Sequence, residues 1–92
     1  MTDLEVNSPR ASEEAIERLC QTHGLSITLK TTQSKYPGSI HWHLKKGRER
    51  GTLEVTLWPA QNRLWFSMQD GRKGDWVMPT AHRLKAQLEG GR

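Results

Sequence analysis

His41 and His43 stand two residues apart in the stretch "GSIHWHLKKGRERGTLEVTLWP", residues 38–59. On an extended strand that spacing projects both imidazoles from one face. Two neighbouring imidazoles could share a metal such as zinc. A histidine with an ordinary pKa near 6.5 could instead move protons as a general acid or base. The rest of the chain completes neither chemistry. A structural zinc site wants four ligands, and no second His or Cys pair stands at the usual spacing. Cys20 falls in the apolar stripe of a helix, while His23 and His82 fall on helices where they face solvent. "GRERG" and "GRKG" are basic turns without the Walker pattern, and no Gly-x-Ser-x-Gly elbow occurs. No catalytic residue, metal or cofactor is therefore assigned, and the chain is not read as an enzyme.

The same stretch carries a second kind of chemistry. Trp58 and Trp65 fall out of phase with the apolar residues around them, on the face that also holds His41, His43, Lys45 and Arg63. Aromatic faces stack nucleobases at roughly 1–3 kcal/mol per base, while Lys and Arg neutralise phosphates. Arg48 and Arg50 add charge in the neighbouring turn. The expected function is a small basic binding module for RNA or DNA, single-stranded or structured. Trp58 and Trp65 stack, Lys45, Arg48, Arg50 and Arg63 hold phosphates, and His41 and His43 donate hydrogen bonds. The alternative is a protein–protein or homodimer interface on the same face, since exposed apolar patches mark interaction sites. A structural reading also exists: Trp58 stacks on Arg63, and Trp65 beside Thr56 makes an ordinary cross-strand pair.

These residues need a sheet to hold them. "SEEAIERLCQTHG", residues 12–24, predicts a helix capped by Ser12, with Glu13 and Glu14 in its first turn and Ala15, Ile16, Leu19 and Cys20 as its stripe. "LSITLKT" alternates, with Leu25, Ile27 and Leu29 inward and Lys30 outward. Pro37-Gly38 suits the centre of a type II turn. Strands follow at 39–46, 52–58 and 63–68, their inward residues being Ile40, Trp42 and Leu44, then Leu53, Val55 and Leu57, then Leu64, Phe66 and Met68. Matching inward faces places His43 opposite Glu54 or Thr56. The turn "PAQN" places Trp58 opposite Arg63 and Thr56 opposite Trp65. "DWVM" reads as a short edge strand. A last helix opens at Pro79, buries Ala81, Leu84 and Leu88, and stops at Gly90-Gly91. The fold class is α+β: a single small domain of helix, three or four antiparallel strands and helix, both helices on one sheet face. Residues 1–10 read as a flexible N-terminal segment and 11–92 as the domain.

That element order resembles the small helix–sheet–helix folds, including the double-stranded RNA-binding domain. The resemblance lies in element order and implies a fold, not a function. Composition agrees with one small domain: 92 residues, 34% of them hydrophobic, allow one modest core, with four Trp to fill it. The net charge of +4 is unevenly spread. Residues 1–24 hold two basic residues against five acids, a balance of −3, and residues 25–92 hold twelve against five, a balance of +7. A basic body suits a polyanionic partner. The single cysteine excludes an internal disulfide and fits a reducing compartment. With no signal-peptide pattern in "MTDLEVNSPR" and no apolar run near the ~20 residues of a membrane span, a cytoplasmic protein with no membrane contact is expected.

Overall fold

Two hairpins make the centre of the sheet. Strand β3 (Ile40–Lys45) pairs antiparallel with β4 (Leu53–Trp58), and β4 pairs antiparallel with β5 (Arg63–Met68). The turn between β4 and β5 is a single 3-10 turn, Pro59–Gln61, closed by Asn62 in the left-handed conformation. Its length sets Trp58 opposite Arg63 and Thr56 opposite Trp65. The β3–β4 register sets His43 opposite Glu54 and His41 opposite Thr56. Both registers bring Trp42, Leu44, Leu53, Val55, Leu57, Leu64, Phe66 and Met68 onto one face, and all are buried. The coordinates are a computed structural model that describes residues 2–7, 11–68 and 74–90.

Helix α1 (Glu13–Thr22) begins where expected, with the Ser12 hydroxyl accepting the Ala15 N–H at 3.1 Å. Helix α2 spans Val77–Leu88. Ile16 and Cys20 of α1, and Val77, Ala81 and Leu84 of α2, join the same buried cluster as the core face of the sheet. The molecule is thus a small α+β domain with two helices and a five-stranded antiparallel sheet, ordered β1-β5-β4-β3-β2.

Three elements differ from the sequence reading. The first is the N-terminal segment. Within residues 1–10, Thr2–Glu5 form β1, which pairs with β5 and adds an edge strand to the expected three or four. The Val6 N–H donates to the Leu64 carbonyl at 2.9 Å, and Val6 is buried. Leu4 and Val6 supply the apolar contact, but so short an alternation is hard to separate from a polar tail.

The second is β2 (Ser26–Thr31), the opposite edge. Its register jumps from Ile27↔Leu44 to Leu29↔His43, so Thr28 is an extra residue, a β-bulge. Beyond the bulge every side chain changes face. Leu29 moves to the far face beside His43, and Lys30 moves to the core face beside Trp42. Lys30 there meets the carboxylates of Glu13 and Glu17 on α1. Glu17 also accepts the Trp42 indole N–H at 3.0 Å. An otherwise stranded indole donor and an edge lysine thus share one helix carboxylate. The Lys30 ammonium is raised above its ordinary pKa, chiefly by Glu13, and Glu17 is lowered, chiefly by Lys30.

The third is "DWVM". It forms no strand: Trp76 caps α2, Val77 opens it, and Pro79 lies inside its first turn. The Trp76 indole donates to the Arg50 carbonyl at 2.7 Å. This ties the start of α2 to the β3–β4 turn, where Gly51 and Gly74 approach closely. A Cβ on Gly51 would stand 2.8 Å from the Gly74 Cα, and one on Gly74 would stand 2.7 Å from the Arg50 carbonyl oxygen. Both glycines also have positive φ, so two requirements exclude side chains there. The basic turn "GRKG", residues 71–74, lies outside the described residues except for Gly74.

Candidate functional site

The far face of the sheet collects the residues that strand alternation turns away from the core. One row across it runs Asp3, Ser67, Glu54, His43 and Leu29. The next runs Glu5, Trp65, Thr56, His41 and Thr31. Trp58 and Arg63 complete a third. The six suspected far-face residues therefore share one face, as the spacing predicted, with Trp58 and Arg63 at one end, Trp65, His41 and His43 between, and Lys45 at the other. Their exposure is another matter.

Trp65 is only 6% exposed, so it is not an open stacking platform. The Arg63 guanidinium lies over its ring at 4.5 Å, and the Tyr36 ring meets it edge-on at 5.1 Å. Arg63 is held in turn by Glu5, which accepts from Nη2 at 2.8 Å and from Nε at 3.1 Å. The cation intended for a phosphate is thus spent on a carboxylate and an indole. The stack joins Arg63 to Trp65 on its own strand, where the sequence reading paired it with Trp58.

Trp58 is half-buried. Its indole N–H donates to the Pro37 carbonyl at 3.0 Å, and Tyr36 packs against it at 5.0 Å. Tyr36 reaches both rings because the β2–β3 loop folds onto the far face. The Ser39 N–H donates to the Tyr36 carbonyl at 3.0 Å with Gly38 at φ +79°, which is the expected turn centred on Pro37-Gly38. Tyr36 went unnoticed in the sequence because its role is set by that turn. The only local sign was an aromatic residue directly before Pro-Gly.

The histidines form a separate polar cluster. His41 is 5% exposed. Its Nδ1 lies 2.8 Å from the Thr56 hydroxyl, and its Nε2 lies 3.2 Å from Glu54 Oε1. His43, half-buried, brings its Nε2 to 3.8 Å from that same oxygen. The rings are 5.1 Å apart and nearly perpendicular. Burial pulls the His41 imidazole below its ordinary pKa, with Glu54 opposing and His43 assisting. A buried imidazole engaged at both nitrogens has no free N–H to donate to a nucleic acid, so His41 leaves the proposed nucleic-acid contact set. Glu54 was offered by the strand register as a cross-strand partner of His43. Its reach to both rings was not legible, because i and i+2 side chains converge on one partner only through their rotamers.

The basic turn is the open part of the site. Lys45 is half-buried, and Lys46, Arg48 and Arg50 are exposed between β3 and β4. Among the described residues, none of these four has an acidic partner. Lys30, Arg63 and Lys85, by contrast, are paired with Glu13 and Glu17, Glu5, and Glu89 respectively. Cys20 is buried with its thiol pushed up to about 11, mainly by desolvation, so it offers no nucleophile at neutral pH. No described helix is long and apolar enough to cross a membrane. A scan against protein-family models matches none, and neither the curated proteins nor the solved structures show a significant similarity to the chain.

Proposed function

We propose that the protein is a small binding module that takes a nucleic-acid backbone at the β3–β4 turn. Lys45, Lys46, Arg48 and Arg50 neutralise phosphates, and Trp58, at the opposite end of β4, is the indole that remains partly open to a base on a nucleic-acid strand that runs along the far face. The observation that carries this reading is the clustering of charge: Lys45, Lys46, Arg48 and Arg50, none with a carboxylate partner among the described residues, fall within six consecutive positions of one turn, whereas the other unpaired cations, Arg18, Lys35 and Arg83, are scattered. Unmatched cations gathered in one turn form the electrostatic footprint of a polyanion site. Trp65, Arg63 and His41 then serve as framework of the far face.

A random-sequence oligonucleotide titrated against the Trp fluorescence tests the proposal. Affinity should fall with salt, with a logarithmic slope of roughly −0.7 for each phosphate contacted on a single strand. The triple variant Lys46→Glu, Arg48→Glu, Arg50→Glu should abolish binding while leaving the circular dichroism unchanged. Binding unaffected by the triple variant, or no binding by the parent chain at low salt, removes the proposal.

A second reading rests on β2, an edge strand exposed along its whole length, with Ile27 38% and Leu29 43% exposed. An open strand edge flanked by apolar side chains suits strand addition by a protein partner or a second copy. Concentration-dependent mass in light scattering, abolished by Leu29→Lys, would favour it.

A further inference from the structure

Glu54 has an unusual set of partners. Its side chain is 20% exposed, yet among the described residues no Lys or Arg neutralises it. Two imidazoles approach it instead, both at the single oxygen Oε1. The ligand atoms of His41, His43 and Glu54 all lie within 4.8 Å of one another. In a tetrahedral zinc site, bonds of about 2.0–2.1 Å set neighbouring donor atoms roughly 3.3 Å apart. Two of the three separations here are 3.2 Å and 3.8 Å. His43 is the more exposed of the two rings and has room to close the remainder.

The supports of the cluster fit the same chemistry. His41 and His43 are fixed at i and i+2 on β3, and Glu54 is the direct cross-strand neighbour of His43, so no hinge lies between the donors. The second nitrogen of His41 rests on the Thr56 hydroxyl, which is itself buried. A metal-bound imidazole is commonly held by such an outer hydrogen bond, which fixes both tautomer and ring orientation. We propose that His41, His43 and Glu54 form a binding site for a divalent transition-metal ion, zinc foremost. Two imidazoles and one carboxylate suit zinc in ligand type. Three protein ligands leave a fourth position for water or an anionic group, unlike a closed structural site. This site is independent of the basic turn and stands whether or not the chain binds nucleic acid.

The test uses the full chain stripped with EDTA and titrated with Zn²⁺ alone by calorimetry, and with Co²⁺ by visible absorption. One ion per chain and the absorption bands of tetrahedral Co²⁺ are expected. Variants His43→Ala and Glu54→Gln should each weaken Zn²⁺ binding at least tenfold, judging from the about 10–100-fold that outer partners alone contribute. His82→Ala, on the exposed side of α2, should bind as the parent does. Should the variants misfold, the parent chain still decides: Zn²⁺ should shift the ring resonances of His41 and His43 and leave those of His23 and His82 in place. No stoichiometric binding, binding unchanged in His43→Ala or Glu54→Gln, or shifts confined to His23 and His82 would each overturn the proposal.

Discussion

The two faces of the sheet both exclude water, by different means. On the core face Trp42, Leu44, Leu53 and Leu64 are fully buried among apolar neighbours and helix side chains. On the far face His41, Thr56, Trp65 and Ser67 are buried almost as well, but through hydrogen bonds, one guanidinium and one tyrosine. Apolar burial is non-directional and tolerates small shifts. The far face depends instead on particular partners, each of which can be removed singly. Alternation in a strand says which side chains share a face; it does not say which face is dry.

Substitutions sharpen this contrast. Trp42→Ala empties the centre of the core face and removes the indole that donates to Glu17, and should cost about 3–5 kcal/mol by urea unfolding. His41→Ala on the far face should cost about 1–3 kcal/mol at neutral pH, because Thr56 and Glu54 lose a buried partner. That side chain should also leave a mark in the pH dependence. Burial holds its folded pKa below the ordinary 6.5, so the unfolded chain takes up the proton first as pH falls. Its contribution is complete above about pH 6.5 and is lost as the pH drops through the folded value. Melting of the EDTA-treated protein from pH 8 to 5 should show this slope, and His41→Ala should flatten it.

Tyr36→Ala removes two aromatic contacts and should cost roughly 1–2 kcal/mol. It should also shift the Trp emission to the red and raise acrylamide quenching, as Trp65 becomes wet. An unchanged spectrum would show that Arg63 alone suffices as a cover. The smallest effect belongs to the Glu5–Arg63 pair, whose side chains are nearly half exposed. A double-mutant cycle should return about 0.2–1 kcal/mol, declining with salt.

Most of the framework was legible in the chain. The three central strands, their inward residues and the β4–β5 register follow from period-two alternation and the length of "PAQN". The Ser12 cap and the Pro37-Gly38 turn follow from local chemistry. What escaped was long-range or a matter of one residue. β1 rests on Leu4 and Val6, too few to make a pattern without β5 beside them. The bulge at Thr28 leaves no periodic signature, because Leu29 and Lys30 fit a regular strand equally well in reverse. The covering of Trp65 requires Tyr36 to arrive from a loop 29 residues earlier in sequence, which no spacing encodes. The candidate residues therefore share the face that alternation predicts, but Trp65 and His41 are far less exposed on it than expected.

The contact between Gly51 and Gly74 gives the basic turn a property that its composition hides. Backbone meets backbone there with less than a methyl group's clearance, and the Trp76 indole donates to the Arg50 carbonyl beside it. The segment carrying Lys46, Arg48 and Arg50 is thereby braced against the start of α2. In the proposed function, an anion held there would immobilise long side chains but little main chain, which keeps the entropic penalty of capture low.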